Sequence, residues 1–325
     1  MTSFGYTLSS EETAPRDLVA HARRAEETGF DFVSISDHFH PWLEAQGHSP
    51  FVWGVLGAIA ASTDHIAVGT GVTCPIVRLH PGIVAHAAAT ASLLLEGRFF
   101  LGVGTGEALN EHIFGARWPR PEVRREMLEE AVEVIRALFT GETVDHRGRY
   151  YEVENARLFD PPAGPLPIIV SGFGTAAAEL AGRIGDGLWA NSADKEIVKS
   201  FERAGGAGPR YAQLDLCWAA DAASARRTVR EVWANAAVPG QLSQDLPTWT
   251  HFEQATQNVT EELATESVPC GPDIAGTLVD SVRAYVDAGF DHLYFHQIGP
   301  DQAGFFAYWE RELRSALQSE VRTAA

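Results

Sequence analysis

Short apolar runs alternate with helical stretches along most of this chain. Phe4-Gly5-Tyr6-Thr7-Leu8 reads as a strand, and from Pro15 to Thr28 the residues Leu18, Val19, Ala22 and Ala25 recur at helical spacing. Pro15 suits a first helical turn, and Gly29 suits the stop because a positive φ costs glycine little. The next run, Phe32-Val33-Ser34-Ile35-Ser36, is β-branched and apolar enough for a buried strand. The same pattern predicts helices over 52–62 and 81–95, strands over 66–70 and 99–103, and a long amphipathic helix over 122–139. Further on it predicts strands over 168–171, 188–190, 211–218 and 292–296, and helices over 176–184, 197–204, 223–235 and 279–288. Two segments break the rhythm. Residues 143–153 alternate around Arg147-Gly148 as a β-hairpin would, and 239–265, rich in proline and glutamine, reads as an inserted excursion. Roughly eight strand–helix repeats imply a parallel sheet closed on itself, a (β/α)8 TIM barrel. The expectation is a single domain over 1–325 with insertions near 143–165 and 239–266. An open doubly wound sheet would need a glycine-rich loop after the first strand, where this chain has Ser9-Ser10-Glu11.

Composition narrows the partners. Of 325 residues 45% are hydrophobic, ample for a core, and the formal charge is 25 − 43 = −18. With no basic surplus to neutralise phosphates, neither a nucleic acid nor an anionic membrane is an expected partner; a small molecule is. Cys74, Cys217 and Cys270 are odd in number and widely spaced, so they form neither a disulfide framework nor a zinc pattern. A reducing cytoplasm is the natural compartment, and no apolar run suits a signal or a membrane span. His80, His86, His112, His251, His292 and His296 are scattered without metal-ligand spacing, so no metal is expected.

In parallel barrels the loops after the strands converge on one face, where ligands bind. Collected in that way, this chain brings together Glu11; Asp37, His38 and Trp42; Gly71, Val72 and Cys74; Gly104, Glu107 and Asn110; Ser171, Gly172, Phe173 and Gly174; Asn191; and Gln297. Within Ser36-Asp37-His38-Phe39-His40-Pro41-Trp42, Pro41 blocks a helix, and a carboxylate beside a histidine can fix the imidazole's tautomer. Gly102-Val103-Gly104-Thr105-Gly106 lacks the third glycine of a dinucleotide fingerprint, since Glu107 stands in its place. The glycines are therefore expected to let a planar ring approach the backbone, with Glu107 aimed at it. The other reading makes Glu107 a favourable charge at the start of the next helix.

Three segments, Ser36–Trp42, Gly69-Thr70-Gly71-Val72 with Pro75, and Gly102–Glu111, together resemble the coenzyme F420-dependent glucose-6-phosphate dehydrogenase branch of the luciferase-like oxidoreductases. The similarity runs from Phe4 to about Asp160, resumes over 168–191 and returns near 288–301. It implies a TIM barrel, commonly dimeric, that binds a deazaflavin at the carboxyl ends of the strands. By position it implies that His38 is the base removing a hydroxyl proton, and that Trp42 steadies charge near the reacting centre. It also implies that Glu107 supplies a proton to the ring and that Glu11 lies on the substrate side. Asp37 would sit beside the deazaflavin, Gly71–Val72 would form a non-proline cis peptide under it, and Cys74 replaces a threonine there. Asn110 and the turn Ser171-Gly172-Phe173-Gly174-Thr175 would hold the cofactor's tail.

One departure bears on the substrate. Where sugar-phosphate members grip the phosphate with lysine and arginine, the matching positions here are Asp194 and Glu266. Carboxylates repel a dianion, so a phosphorylated sugar is not the expected substrate. The expected activity is hydride transfer between an alcohol or lactol and F420, or the reverse reduction, in a homodimer. The rival readings are an FMN-dependent monooxygenase and a non-catalytic cofactor-binding barrel.

Overall fold

The computed structural model describes residues 2–323. Its barrel strands are β1 (Ser3–Leu8), β2 (Phe32–Ile35), β3 (Ala67–Thr70) and β4 (Phe99–Val103), followed by β7 (Ile168–Ser171), β8 (Gly187–Ala190), β9 (Arg210–Leu216) and β10 (His292–Gln297). They close in the order β1-β10-β9-β8-β7-β4-β3-β2, every pairing parallel. The fold is thus a closed eight-stranded parallel barrel with helices between the strands. The remaining strands, β5 (Val144–Arg147) and β6 (Glu152–Ala156), form a separate antiparallel hairpin. It is tied to the helix Pro121–Phe139 by Glu130, whose carboxylate accepts from the amides of Arg149, Tyr150 and Tyr151.

The strands are buried on both faces, so they read as short apolar runs. Outward residues meet the helices in the main core. Inward residues Phe32, Phe100, Ile169, Trp189, Tyr211 and Tyr294 fill the lower barrel with a largely aromatic plug. Above it the inward positions turn small and polar, which leaves a mouth at the carboxyl ends of the strands. Segment 239–265 is helical, with helices Gln241–Asp245, Trp249–Thr256 and Glu261–Ala264. Phe252 and Val259 there join Leu43, Leu109, Trp233 and Ile298 in a second apolar cluster beside the mouth.

The pattern of apolar residues gave no sign of the last helices, Gln302–Tyr308, the π-helical Trp309–Leu313 and Arg314–Thr323. Their aromatics are crowded rather than periodic: Trp309 stacks on Phe30 at 4.0 Å, and Phe306 packs on Tyr6 at 4.7 Å. Among the described residues no helix is long and apolar enough to cross a membrane, and no cluster of His, Cys, Asp and Glu could hold a metal ion.

Candidate active site at the barrel mouth

The loop after β2 carries His38 and Trp42, and the loop after β4 carries Glu107. The structure brings the three into one contact chain. Trp42 Nε1 donates to Glu107 Oε2 at 2.8 Å, and the Trp42 ring meets the His38 ring edge-on at 4.3 Å. Glu107 occupies the N-cap position of the short helix Ala108–Glu111 but makes no capping bond, so helix initiation does not explain it. Enclosure of its carboxyl raises its pKa, a shift that His38 and the Trp42 N–H only partly offset.

His38 is not served by Asp37, as the sequence led us to expect. Asp37 is buried, and its two oxygens accept from Arg78 Nη2 and Thr73 Oγ1, each at 2.8 Å. Arg78 in turn reaches the buried Glu111, donating from its backbone N at 2.7 Å and from Nε at 3.5 Å. Burial works against the guanidinium's charge, yet the Asp37 carboxylate outweighs it and raises the Arg78 pKa. Adjacent residues in a loop point apart, so the carboxylate nearest His38 comes from another strand. Glu11 Oε1 lies 3.4 Å from His38 Nδ1, without the alignment of a hydrogen bond, and Nδ1 is buried with no other partner. Glu11 itself is held by the hydroxyls of Ser36 at 2.7 Å, Ser9 at 3.1 Å and Ser10 at 3.2 Å.

The glycines play a different part from the one expected. A Cβ on Gly71 would lie 2.0 Å from Ser34 Oγ, and one on Gly104 would lie 2.5 Å from Ser171 Oγ. Those spaces are already filled by the protein's own atoms, so close packing, rather than access for a ring, demands glycine there. Gly71–Val72 is a non-proline cis peptide. Cys74 is buried with Sγ against Gly106, and burial pushes its thiol pKa well up. Asn110 Oδ1 accepts from the amides of Phe39 and His40 at 2.8 and 3.1 Å, fixing the loop that carries His38. In the turn after β7, Gly172 packs against Ala178, whereas Phe173 and Gly174 are exposed at the N-terminus of the helix Thr175–Ile184. Such an end favours an anion. Gln297, counted with the mouth above, is buried and turned away from it, bonding the backbone of Trp218 instead.

A second cluster carries no motif in the sequence. His296, one of several histidines scattered along the chain, donates to Asp215 at 3.0 Å and to Glu12 at 2.7 Å. Burial alone would lower its pKa, but the two carboxylates raise it to about 10. The available signal was parity: His292, Tyr294 and His296 alternate on β10, so His296 had to face inward at the mouth.

Comparison with known proteins gives a consistent picture. A family model described as luciferase-like monooxygenase matches residues 1–292. An F420-dependent glucose-6-phosphate dehydrogenase of Segniliparus rotundus is 36% identical over 331 residues, covering 97% of this chain and 98% of that protein. One from Nakamurella multipartita is 36% identical over 333 residues, covering 98% and 97%. Among solved structures, an F420-dependent secondary alcohol dehydrogenase in complex with an F420–acetone adduct superposes with a TM-score of 0.89 at 29% identity, covering 97% of this chain and 99% of that one.

Proposed function

The chain belongs to the luciferase-like monooxygenase family, and from that premise we propose that it is an F420-dependent dehydrogenase passing a hydride between a secondary alcohol or lactol and the deazaflavin. The observation that carries this reading is the contact chain His38–Trp42–Glu107, assembled from two loops. The relatives named for F420 support the cofactor. The residues fit it as well: an imidazole with an unpartnered nitrogen, an enclosed carboxyl whose pKa burial raises, and an exposed helix N-terminus at Gly174 for an anionic tail.

When bound, the deazaflavin supplies the carbon that accepts the hydride. The remaining work falls to the chain. Glu11 faces Nδ1 of His38, which leaves Nε2 to take the carbinol proton, and the Glu11 carboxylate stabilises the imidazolium that forms. Glu107, whose carboxyl burial shifts towards the protonated form, would supply the proton that the ring takes up. Trp42 orients Glu107 and packs its ring on His38, limiting water between them. We read Gly71–Val72, with Asp37 and Cys74 packed behind it, as the wall on which the ring would rest, and Asn110 with Ser171–Gly174 as the side for its tail.

The substrate is read as uncharged rather than as a sugar phosphate. By the resemblance, Asp194 and Glu266 fall where the sugar-phosphate branch has basic residues, with Lys195 one place away, and Asp194 caps its own helix, accepting from the Glu196 amide at 2.8 Å. We also read the chain as a cytoplasmic homodimer. The helices Val52–Ala60 and Pro81–Leu94 are apolar on most sides, and Phe51, Ile83 and Leu94 nearby are exposed. The test is a titration of the purified protein with oxidised F420 and FMN side by side, followed by alcohol-dependent loss of deazaflavin absorbance. Binding of F420 with turnover of an uncharged alcohol is the expected result; no affinity for any deazaflavin would end the proposal, and FMN binding with oxygen consumption would favour a monooxygenase.

A further inference from the structure

The mouth has a second polar wall that the hydride chemistry leaves unused. Asp215 and His296 sit opposite each other on the paired strands β9 and β10. His296 donates from Nδ1 to Asp215 Oδ1 and from Nε2 to Glu12 Oε1. A carboxylate can only accept, so both ring nitrogens carry protons and the ring is an imidazolium. Glu12 Oε1 also accepts from Ser9 Oγ at 3.2 Å, and its Oε2 takes a short bond from the Gly299 amide at 2.8 Å. Asp215 is different. Its Oδ1 takes both His296 and Gln213 Nε2, the latter at 2.7 Å, whereas Oδ2 has a single long bond from Trp233 Nε1 at 3.3 Å. The Asp215 side chain is also the open member, 28% exposed against 1% for His296 and 6% for Glu12.

Two further observations aim this wall at a ligand. Thr7 Oγ1 is buried without a hydrogen-bond partner. A Cβ on Gly5 would strike Phe32 of the inner plug, so Thr7, two residues along β1, faces inward as well. Trp233 meets the His296 ring edge-on at 4.3 Å and Trp42 at 5.5 Å, which joins the wall to the indole that packs on His38.

We propose that Asp215 is a specificity-determining residue whose Oδ2 accepts a hydrogen bond from a second hydroxyl of a neutral substrate, with His296, Glu12 and Trp233 as positioning residues. The proposal rests on the secondary-alcohol reading above and deepens it. Two carboxylates against one imidazolium leave the wall with a net negative charge, which attracts hydrogen-bond donors and repels anions. Burial opposes ionisation of Asp215, but the bonds from His296, Gln213 and Trp233 outweigh it and lower its pKa, so it stays an acceptor at neutral pH. A hydrogen bond to a charged acceptor corresponds to about ten- to hundred-fold in affinity.

The test uses a matched pair, cyclohexanol and trans-cyclohexane-1,2-diol. With the F420-loaded enzyme, kcat/KM for the diol should exceed that for cyclohexanol by about tenfold or more, mainly through KM. Asp215→Asn should bring the ratio to about one; because the result is a ratio, a general loss of rate cancels. Trp233→Phe removes the donor that competes for Oδ2 and should strengthen the diol preference, so if Asp215→Asn does not fold, a preference unchanged or lost in Trp233→Phe overturns the proposal. Calorimetric titration of both alcohols into the cofactor-free protein should give the same order. No diol preference in the wild type, or a preference that survives Asp215→Asn, overturns the proposal. Failure of the protein to bind F420 strikes only the secondary-alcohol reading, since the calorimetric comparison still decides this one.

Discussion

The two sides of the barrel mouth use the same kinds of side chain to opposite ends. On the β2–β4 side, His38 keeps a buried nitrogen without a hydrogen-bond partner, and Glu107 has one donor and a carboxyl whose pKa burial raises. On the β9–β10 side, His296 has a carboxylate on each nitrogen and is locked in its charged form. A ring nitrogen without a partner is open to a substrate's proton, whereas one held by a carboxylate on each side is not. The difference separates the side proposed to move protons from a side that holds charge still. Histidine and carboxylate content alone would not have told them apart.

The largest expected effect lies on the proton-moving side. His38→Ala should lower kcat by about 10²- to 10⁴-fold while changing F420 affinity little, as measured by steady-state kinetics and fluorescence titration. Near-wild-type turnover would remove His38 from the mechanism. Next comes the support beneath it. Arg78→Met leaves the Asp37 and Glu111 carboxylates buried without their cation, at a cost of about 3–5 kcal/mol in denaturant unfolding. Burial already raises Glu111 towards protonation, so this deficit should shrink as pH falls. A deficit independent of pH would mean that packing, not charge, is what Arg78 supplies.

The charge-holding side should answer in stability. The folded-state pKa of His296 lies above its unfolded value of about 6.5. Its contribution is therefore fully present below pH ~6.5 and is lost as pH rises towards about 10. His296→Asn should be less stable than wild type at neutral pH and should flatten the decline of Tm over that window. A decline equally steep in the variant would assign it to other groups.

How much of this was legible in advance followed the distance along the chain between partners. The barrel could be read because each strand–helix repeat is local. The Ser36–Trp42 and Gly102–Glu111 segments could be read because each carries its residues within one loop. Asp37 was misassigned because Arg78, which claims it, lies 41 residues on, and nothing in the sequence marks that pairing. The His296–Glu12 bond spans 284 residues. It exists only because closing the barrel places β10 beside β1, a fact that follows from the fold but not from any motif. The glycines misled for a related reason: a missing side chain looks the same in sequence whether a ligand or a neighbouring strand fills the space.

The smallest predicted effect is the sharpest test of the division between the two sides, because it touches the bond at their junction. Trp42→Phe keeps a ring against His38 and Trp233 but removes the N–H that reaches Glu107. That N–H favours the ionised carboxylate, so without it burial pushes the Glu107 pKa higher still. Protonated Glu107 is the form proposed to act. The alkaline limb of kcat against pH should therefore move upward in the variant, by about one unit at most, since one unit corresponds to ~1.4 kcal/mol, a typical neutral hydrogen bond. The rate at the optimum should change only a few-fold, and Glu107→Gln should abolish that limb. A Trp42→Phe limb that stays in place, or moves down, would mean that the proton controlling turnover is not on Glu107. Glu107 and Asp215, carboxylates on opposite sides of the mouth, would then differ in position but not in kind.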